Sequence, residues 1–407
     1  MSAPRKTGPA PRVGYFTLLA VAGWLAGCSD GGPPQKAQAD AKVAQSDSAP
    51  ASALPAPASD APPSSAMAAV APLPASSLPA ATAESLPAAN PDLPPLAQTI
   101  NAASFTAPGA KVAAGWKLHG VDPTLIKTEV LLDRAGFSPG VIDGRKGQNL
   151  SHALAAFDQA HSLPASATLD AASWNALSQA DGAPVMQTYQ ITSDDLAGPF
   201  IGVPPKDYAE LAKLPALGYT DPQQLLSEKF HMDRKLLTAL NPNADFTKVG
   251  TSIIVTAPRA ERHDLHVTRI EVDKSQEVVR AYDDSGKLVG FYPATVGSTE
   301  RPAPSGTFTV KGVAPHPVYY YDPTRLTFTP EGATGKLKIA AGPNNPVGSN
   351  WIALTIPTYG IHGAPDPSLI GKRQSHGCVR LTNWDAVELG RSVKPGTKVV
   401  FLGQEKA

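Results

Sequence analysis

The sequence predicts a multidomain chain. An N-terminal tether leads to a small three-helix domain and a small α+β module, and a mainly β, sandwich- or barrel-like domain ends the chain. Three observations predict this. The 407 residues exceed one ordinary domain. The 42 prolines are unevenly spread, which argues against a single compact globule. The apolar pattern behind the tether changes from helical spacing to short alternating runs. Lys+Arg and Asp+Glu are both 35, so the formal charge is zero and no electrostatic footprint for nucleic acid is expected. Two cysteines exclude a disulfide framework, and exclude a four-cysteine zinc site unless histidines supply ligands.

Residues 1–28 read as an export signal. Arg5, Lys6 and Arg12 precede a mostly apolar stretch from Val13 to Ala26. That stretch is shorter than the roughly 20 residues a spanning helix needs. It ends in Leu25-Ala26-Gly27-Cys28, which resembles the bacterial lipobox. The resemblance implies cleavage before Cys28 and a lipid on its thiol, anchoring the chain to a membrane on the periplasmic side of the cell envelope. Ser29 stands where an inner-membrane retention aspartate occurs in some bacteria, which favours the outer membrane.

Residues 29–108 read as a disordered linker. Of these residues 24 are Ala and 15 are Pro, and no aromatic occurs between Trp24 and Phe105. Such a composition buries too little apolar surface to offset the entropy of ordering. Extended at about 3.1 Å per residue, it reaches up to roughly 250 Å.

Residues 109–183 hold the helical domain. Asp122-Pro123 is an N-cap followed by proline at the first helical position. Leu125, Ile126, Val130, Leu131 and Ala135 follow at helical spacing, and Gly136 stops the helix. After the Asp143-Gly144 turn, Leu150, Ala153, Leu154 and Phe157 mark a second helix; Trp174 and Leu177 mark a short third. With Gly136-Phe137, Leu163-Pro164 and Trp174-Asn175-Ala176-Leu177, this order resembles the three-helix peptidoglycan-binding domain. Glu129 (or Thr128) and Asp158 stand where that domain commonly has glutamine.

In residues 184–260, Tyr189 to Thr192 alternates like a strand. Asp221-Pro222 and Asp233 start two helices, carrying Leu225, Leu226 and Phe230, then Leu236, Leu237 and Leu240. Ile253 to Val255 is a second strand. Strand, helix, helix, strand resembles a lysin-motif module, which implies binding to the peptidoglycan sugar backbone. The segment from Leu196 to Leu217 is an insertion unusual for it.

Residues 261–407 read as mostly β. Val267 to Val272, Glu277 to Tyr282, Leu288 to Tyr292, Thr307 to Val310, Trp351 to Ile356 and Lys398 to Leu402 have strand composition. Asp283-Asp284-Ser285-Gly286 is a hairpin turn, and Asn383 to Ser392 is the one clear helix. The turn-rich stretch from Lys311 to Asn350, with Tyr319-Tyr320-Tyr321, is long enough to be a lid or substrate wall.

The chemistry concentrates in Ser375-His376-Gly377-Cys378-Val379-Arg380, with His362-Gly363 upstream at the end of the strand-like run from Ile352 to Ile361. A free thiol has a pKa of about 8.5 and is mostly protonated at neutral pH. A nearby imidazole can take the proton and stabilise the thiolate as an ion pair. His362, on a different strand, is better placed for this than His376, two residues from the sulfur. Gly377 permits close backbone approach. The N–H groups of Gly377 and Cys378, with His376, are candidates for an oxyanion hole. Arg380 either holds a substrate carboxylate or pairs with Asp385 or Glu388. Tyr359 is a candidate lining residue, and Lys372 and Arg373 either attract an acidic peptide or form a solvated loop face. A buried structural thiol, or zinc held by His362, His376 and Cys378, are the other readings of these residues.

The motif, with Pro304-Ser305-Gly306-Thr307-Phe308 and Asn345-Pro346, resembles the L,D-transpeptidase family over roughly the last 140 residues. The resemblance implies Cys378 as nucleophile and His362 as proton acceptor, with a backbone carbonyl near Gly363 orienting the imidazole. Ser375, His376, Gly377, Arg380, Gly363 and Tyr359 would form the oxyanion and substrate site. It implies peptidoglycan stem peptides as substrate, a thioester intermediate, 3→3 cross-links as product, and no metal or organic cofactor. Release to water or transfer to a protein are the alternative outcomes, and a non-enzymatic wall-binding lipoprotein is the alternative class.

Overall fold

The computed structural model describes residues 93–105, 118–298, 300–324, 330–372 and 377–405. The signal, Cys28 and most of the expected linker lie outside the described residues. The linker's C-terminal end departs from the expected disorder. Helix α1 (Pro95–Asn101) stands there, with Ala97 and Ile100 fully buried. Asn101 ties it down: its side-chain oxygen accepts from the Val185 and Met186 N–H groups at 2.9 and 2.8 Å. Leu93, Leu96, Ala97 and Ile100 form an apolar stripe that gains stability only against a surface distant in sequence, so composition alone misreads it.

The helical domain folds as its caps dictate. Helix α2 (Pro123–Arg134) starts where the Asp122 carboxylate accepts from the Thr124 N–H at 2.8 Å. It ends before Gly136, whose φ of +86° suits glycine. Helices α3 (Gln148–Ala160) and α4 (Ala171–Ala180) follow. The two departures from the domain's usual pattern hold turns. Glu129 accepts from the N–H groups of Asp143 and Gly144 at 3.0 and 2.8 Å, and Asp158 from that of Ser166 at 3.0 Å.

The next module is β1 (Met186–Gln190), short α5 (Tyr208–Leu211), α6 (Pro222–Lys229), α7 (Arg234–Leu240) and β2 (Ser252–Thr256). β1 and β2 pair antiparallel from Met186↔Thr256 to Gln190↔Ser252. The expected strand–helix–helix–strand order is present, with α5 in the inserted segment. No gap marks the expected boundary at 183. One apolar core joins Leu132 and Phe157 to Ile191, Leu237 and Val255, and continues to Val278 and Phe291 of the C-terminal domain.

The C-terminal domain is built on a nine-stranded sheet among the described residues. Its strands are β3 (Arg269–Asp273), β4 (Val278–Tyr282), β5 (Leu288–Pro293), β6 (Thr295–Val296), β7 (Gly306–Pro315), β10 (Asn350–Leu354), β11 (Gly360–His362), β12 (Val379–Arg380) and β13 (Lys398–Leu402). The order is β5-β4-β3-β13-β7-β10-β11-β12-β6. β8 (Tyr319–Tyr321) and β9 (Leu337–Ile339) form a separate pair. Helix α8 (Asn383–Ser392), capped by Thr382, packs against β7, β10 and β11. Two expectations change. The run from Ile352 to Ile361 is two antiparallel strands, β10 and β11, rather than one. The stretch from Lys311 begins inside β7 and is not a loop throughout.

The outer strand β5 is covered rather than exposed. The Ser138 N–H donates to the Phe291 carbonyl and the Phe291 N–H to that of Gly136, both at 2.9 Å. Behind this contact lies a buried ionic lattice. Arg259 pairs with Asp133 of α2, and with Asp385 and Glu388 of α8 at 2.7 and 2.8 Å. Arg262 pairs with Glu388 at 2.6 Å, and the Tyr292 hydroxyl donates to the same carboxylate at 2.8 Å. Burial works to raise the Asp133 carboxyl, but Arg259 and His231 overcome it and hold it below the ordinary range.

Candidate active site

β11 and β12 run parallel with Ile361↔Val379 and His362↔Arg380 in register. Ile361 and Val379 are fully buried in the sheet's core. Side chains alternate along a strand, so Gly360, His362, Cys378 and Arg380 share the opposite face. Adjacent strands lie about 4.8 Å apart, which sets His362 and Cys378 as diagonal neighbours on that face. The topology therefore brings together two residues 16 positions apart, as the motif spacing leads one to expect.

His362 is nearly fully buried and its orientation is determined from three sides. Its Nδ1 lies 2.7 Å from the Gly363 carbonyl oxygen, so Nδ1 carries the proton and Nε2 presents its lone pair. The expected orienting carbonyl is thus that of Gly363. Trp351, paired with His362 across β10–β11, stacks on the imidazole with ring centroids 5.4 Å apart and planes 22° from parallel. The Gly363 backbone rests on Asn383. A Cβ at 363 would lie 2.3 Å from the Asn383 side-chain oxygen, which explains why glycine follows the histidine. That oxygen also accepts from the Ser349 N–H at 3.0 Å.

Electrostatics favours a neutral resting pair. Burial, then the Arg380 charge, push the His362 imidazolium down to about 3, against the Gly363 carbonyl. Burial raises the Cys378 thiol, against a Gly360 backbone hydrogen bond and the Arg380 charge. These directions favour the neutral thiol and imidazole at rest over a standing thiolate–imidazolium pair. Arg380 acts in opposite senses on the two, favouring negative charge at sulfur and disfavouring positive charge on the ring.

Arg380 was open to two readings. Asp385 and Glu388, its proposed structural partners, are engaged by Arg259 and Arg262. Its charge is instead felt by His362, Cys378, Tyr208 and Tyr319. Tyr359 belongs to the site, as its hydroxyl donates to the Gly377 carbonyl. Gly377 has φ +118°, a conformation that favours glycine, while a Cβ there would meet nothing closer than Tyr359 at 4.0 Å. The glycine serves backbone geometry more than space. Lys372 is exposed. Arg373, Ser375 and His376 lie outside the described residues.

The tyrosine-rich stretch lines a cleft of about 670 Å³ together with Val347, Trp351 and Thr358. Trp351 of this lining is the residue that stacks on His362, which joins the cleft to the site. Tyr208, from the inserted segment of the preceding module, meets Tyr319 and Tyr321 edge-on at 6.3 and 6.1 Å. Leu211 and Leu217 of the same insertion bury against Ile339 of β9. Sequence reasoning missed Trp351, Asn383 and Tyr208. Only Trp351 left a signal, as the residue facing His362 once β10 and β11 are read as a hairpin.

Residues 267–401 match the YkuD family, described as an L,D-transpeptidase catalytic domain. Residues 125–177 match a family described as a "Putative peptidoglycan binding domain". Two curated relatives carry the name "Putative L,D-transpeptidase YkuD". That of Bacillus licheniformis is 31% identical over 176 residues, covering 43% of this chain and 89% of the relative. That of Bacillus subtilis is 42% identical over 76 residues, covering 19% of this chain and 46% of the relative. "Probable L,D-transpeptidase YbiS" of Escherichia coli is 28% identical, with 46% of this chain and 62% of the relative covered. The chain thus spans less than two thirds of the length of the latter two relatives. With the first of them covered nearly end to end at 31% identity, the chain belongs to the L,D-transpeptidase family.

Proposed function

We propose that the chain is a cysteine-dependent L,D-transpeptidase acting on peptidoglycan stem peptides. The observation that carries this reading is the shared face of His362 and Cys378 on paired strands, with Nδ1 engaged by Gly363 and Nε2 left as the proton acceptor. Cys378 sulfur attacks the carbonyl between the third-position diamino acid and the terminal D-alanine, and its proton passes to His362 Nε2. The C–N bond breaks, the leaving amine of D-alanine takes that proton, and a thioester remains. The side-chain amine of a neighbouring stem then attacks the thioester, gives a proton back through His362, and forms a 3→3 cross-link while the thiol is restored. Arg380 stabilises the negative charge that develops at sulfur and the carbonyl oxygen. No cofactor enters this sequence.

The accessory parts fit the same reading. The helical domain and the lysin-motif-like module hold glycan, and a lipid on Cys28 anchors the chain at the envelope, on the outer-membrane side. The test is incubation of purified tetrapeptide muropeptides with the protein and with Cys378→Ala, read by mass spectrometry. The expected result is a 3→3 dimer and a transient adduct on Cys378 with the wild type, and neither with the variant. Tripeptide alone would make water the acceptor. Full cellular function of Cys378→Ala would leave a wall-binding lipoprotein instead.

A further inference from the structure

We propose that Glu228, contributed by the lysin-motif-like module, is a positioning residue for the catalytic histidine, acting through Asn383. The chain of contacts is short. Glu228 lies on α6 and is buried. One carboxyl oxygen accepts from the Asn383 side-chain NH₂ at 3.0 Å. The same NH₂ group also reaches the Pro343 carbonyl, at 3.2 Å. The other carboxyl oxygen faces the Gln224 NH₂ at 3.4 Å. With its NH₂ held, Asn383 can direct only its oxygen towards the Ser349 N–H and the back of Gly363. Gly363 in turn supplies the carbonyl that holds His362 Nδ1.

An amide can turn over by half a rotation. Without Glu228 its NH₂ would no longer be anchored on the module side, and the surface under Gly363 would lose its fixed acceptor. The His362 ring would then lose orientation, although every residue of the catalytic motif remained. The catalytic site is therefore completed by a residue from the accessory module. Asn344 and Gln224 brace the same spot, the Asn344 NH₂ donating to Gln224 at 2.9 Å and to the Gly218 carbonyl at 2.7 Å. The remaining ionisable neighbours of Glu228 are Asp366 and Tyr219. Burial, against the Asn383 and Gln224 hydrogen bonds, raises the Glu228 carboxyl to about 8, which favours its uncharged form beside His362.

The inference rests on the assignment of His362 as proton acceptor, and the test separates the two. In the full chain, Glu228→Ala, Glu228→Gln and Asn383→Ser are compared with the wild type in two assays. The first is D-alanine release from muropeptides. The second is alkylation of Cys378 by iodoacetamide against pH, which needs no substrate. For Glu228→Ala and Asn383→Ser, turnover is expected to fall on the order of tenfold with KM little changed, as for a misplaced catalytic group. The pH profile of alkylation is expected to move with it, and Glu228→Gln to recover most of both. The double variant is expected to be no worse than either single one, because both cut one path. Wild-type turnover and alkylation profile in a folded Glu228→Ala or Asn383→Ser would overturn the inference. A wild type that alkylates normally but releases no D-alanine would overturn the activity instead, leaving the alkylation comparison to decide the positioning role.

Discussion

The helical half meets the catalytic sheet along two seams of opposite chemistry. At one, Arg259 is surrounded by Asp133, Asp385 and Glu388, all buried. At the other, Glu228, Gln224, Asn344 and Asn383 join through amides and a carboxyl that burial drives towards its uncharged form. The ionic seam ties α2 to α8. The neutral seam lies under Gly363. A full charge there would act on His362 and Cys378 over a short distance in a poorly screened interior, so a neutral network holds geometry without perturbing the proton transfer. Both seams begin at the same helix, since Asn383 opens α8 and Asp385 and Glu388 follow on it.

The largest expected effect breaks the first seam. Arg259→Ala leaves three buried carboxylates short of a partner and is expected to cost about 3–5 kcal/mol, measured as a shift in the urea midpoint. Turnover per folded molecule should stay near wild type, and a large loss of turnover at full folding would erase the distinction between the seams. Gly363→Ala attacks the second seam, because its Cβ would sit 2.3 Å from the Asn383 oxygen. A stability loss of about 1–3 kcal/mol is expected from such overpacking. Its D-alanine release should fall further than that of Arg259→Ala, reversing the order seen in stability.

The smallest effect sharpens the comparison through pH. Asp133 is depressed in the folded state, so its contribution is present above the ordinary value of 3.8 and lost as pH falls below it. Glu228 is raised from 4.5 to about 8, so its contribution is full below 4.5 and is lost as pH climbs through 8. Urea midpoints measured from pH 5 to 8 are expected to decline with pH in the wild type and to flatten in Glu228→Gln. An unchanged slope in that variant would show the carboxyl to be ionised already at the lower end.

Much of the architecture was legible because its signals are local. Asp122-Pro123, Asp221-Pro222 and Asp233 each cap a helix by accepting backbone N–H groups within the first turn. Lys398 to Leu402 and Leu288 to Pro293 are strands of ordinary length with β-forming residues. The strands that escaped notice are β6, β8, β9 and β12, of two or three residues each, which exist because of partners elsewhere in the chain. α1 escaped for the same reason, its short stripe of Leu93, Leu96, Ala97 and Ile100 being stable only once a surface receives it. Of the site, Cys378, His362 and the Gly363 carbonyl could be read from the motif and its family likeness. Tyr208, Asn383 and Glu228 could not, since none stands at a characteristic spacing from the cysteine, and Trp351 only once β10 and β11 are read as a hairpin.

The amino-acid order by itself determined which atoms are candidates for the chemistry, a thiol and an imidazole beside glycines at strand ends, because reactivity belongs to residue types. Tertiary structure alone decided how those atoms rest and what braces them. Proton affinity depends on burial and on neighbouring charge, and orientation depends on hydrogen bonds from segments far away in the chain. That is why burial and Arg380 set the proton affinities of His362 and Cys378, and why a helix of the preceding module stands behind the histidine.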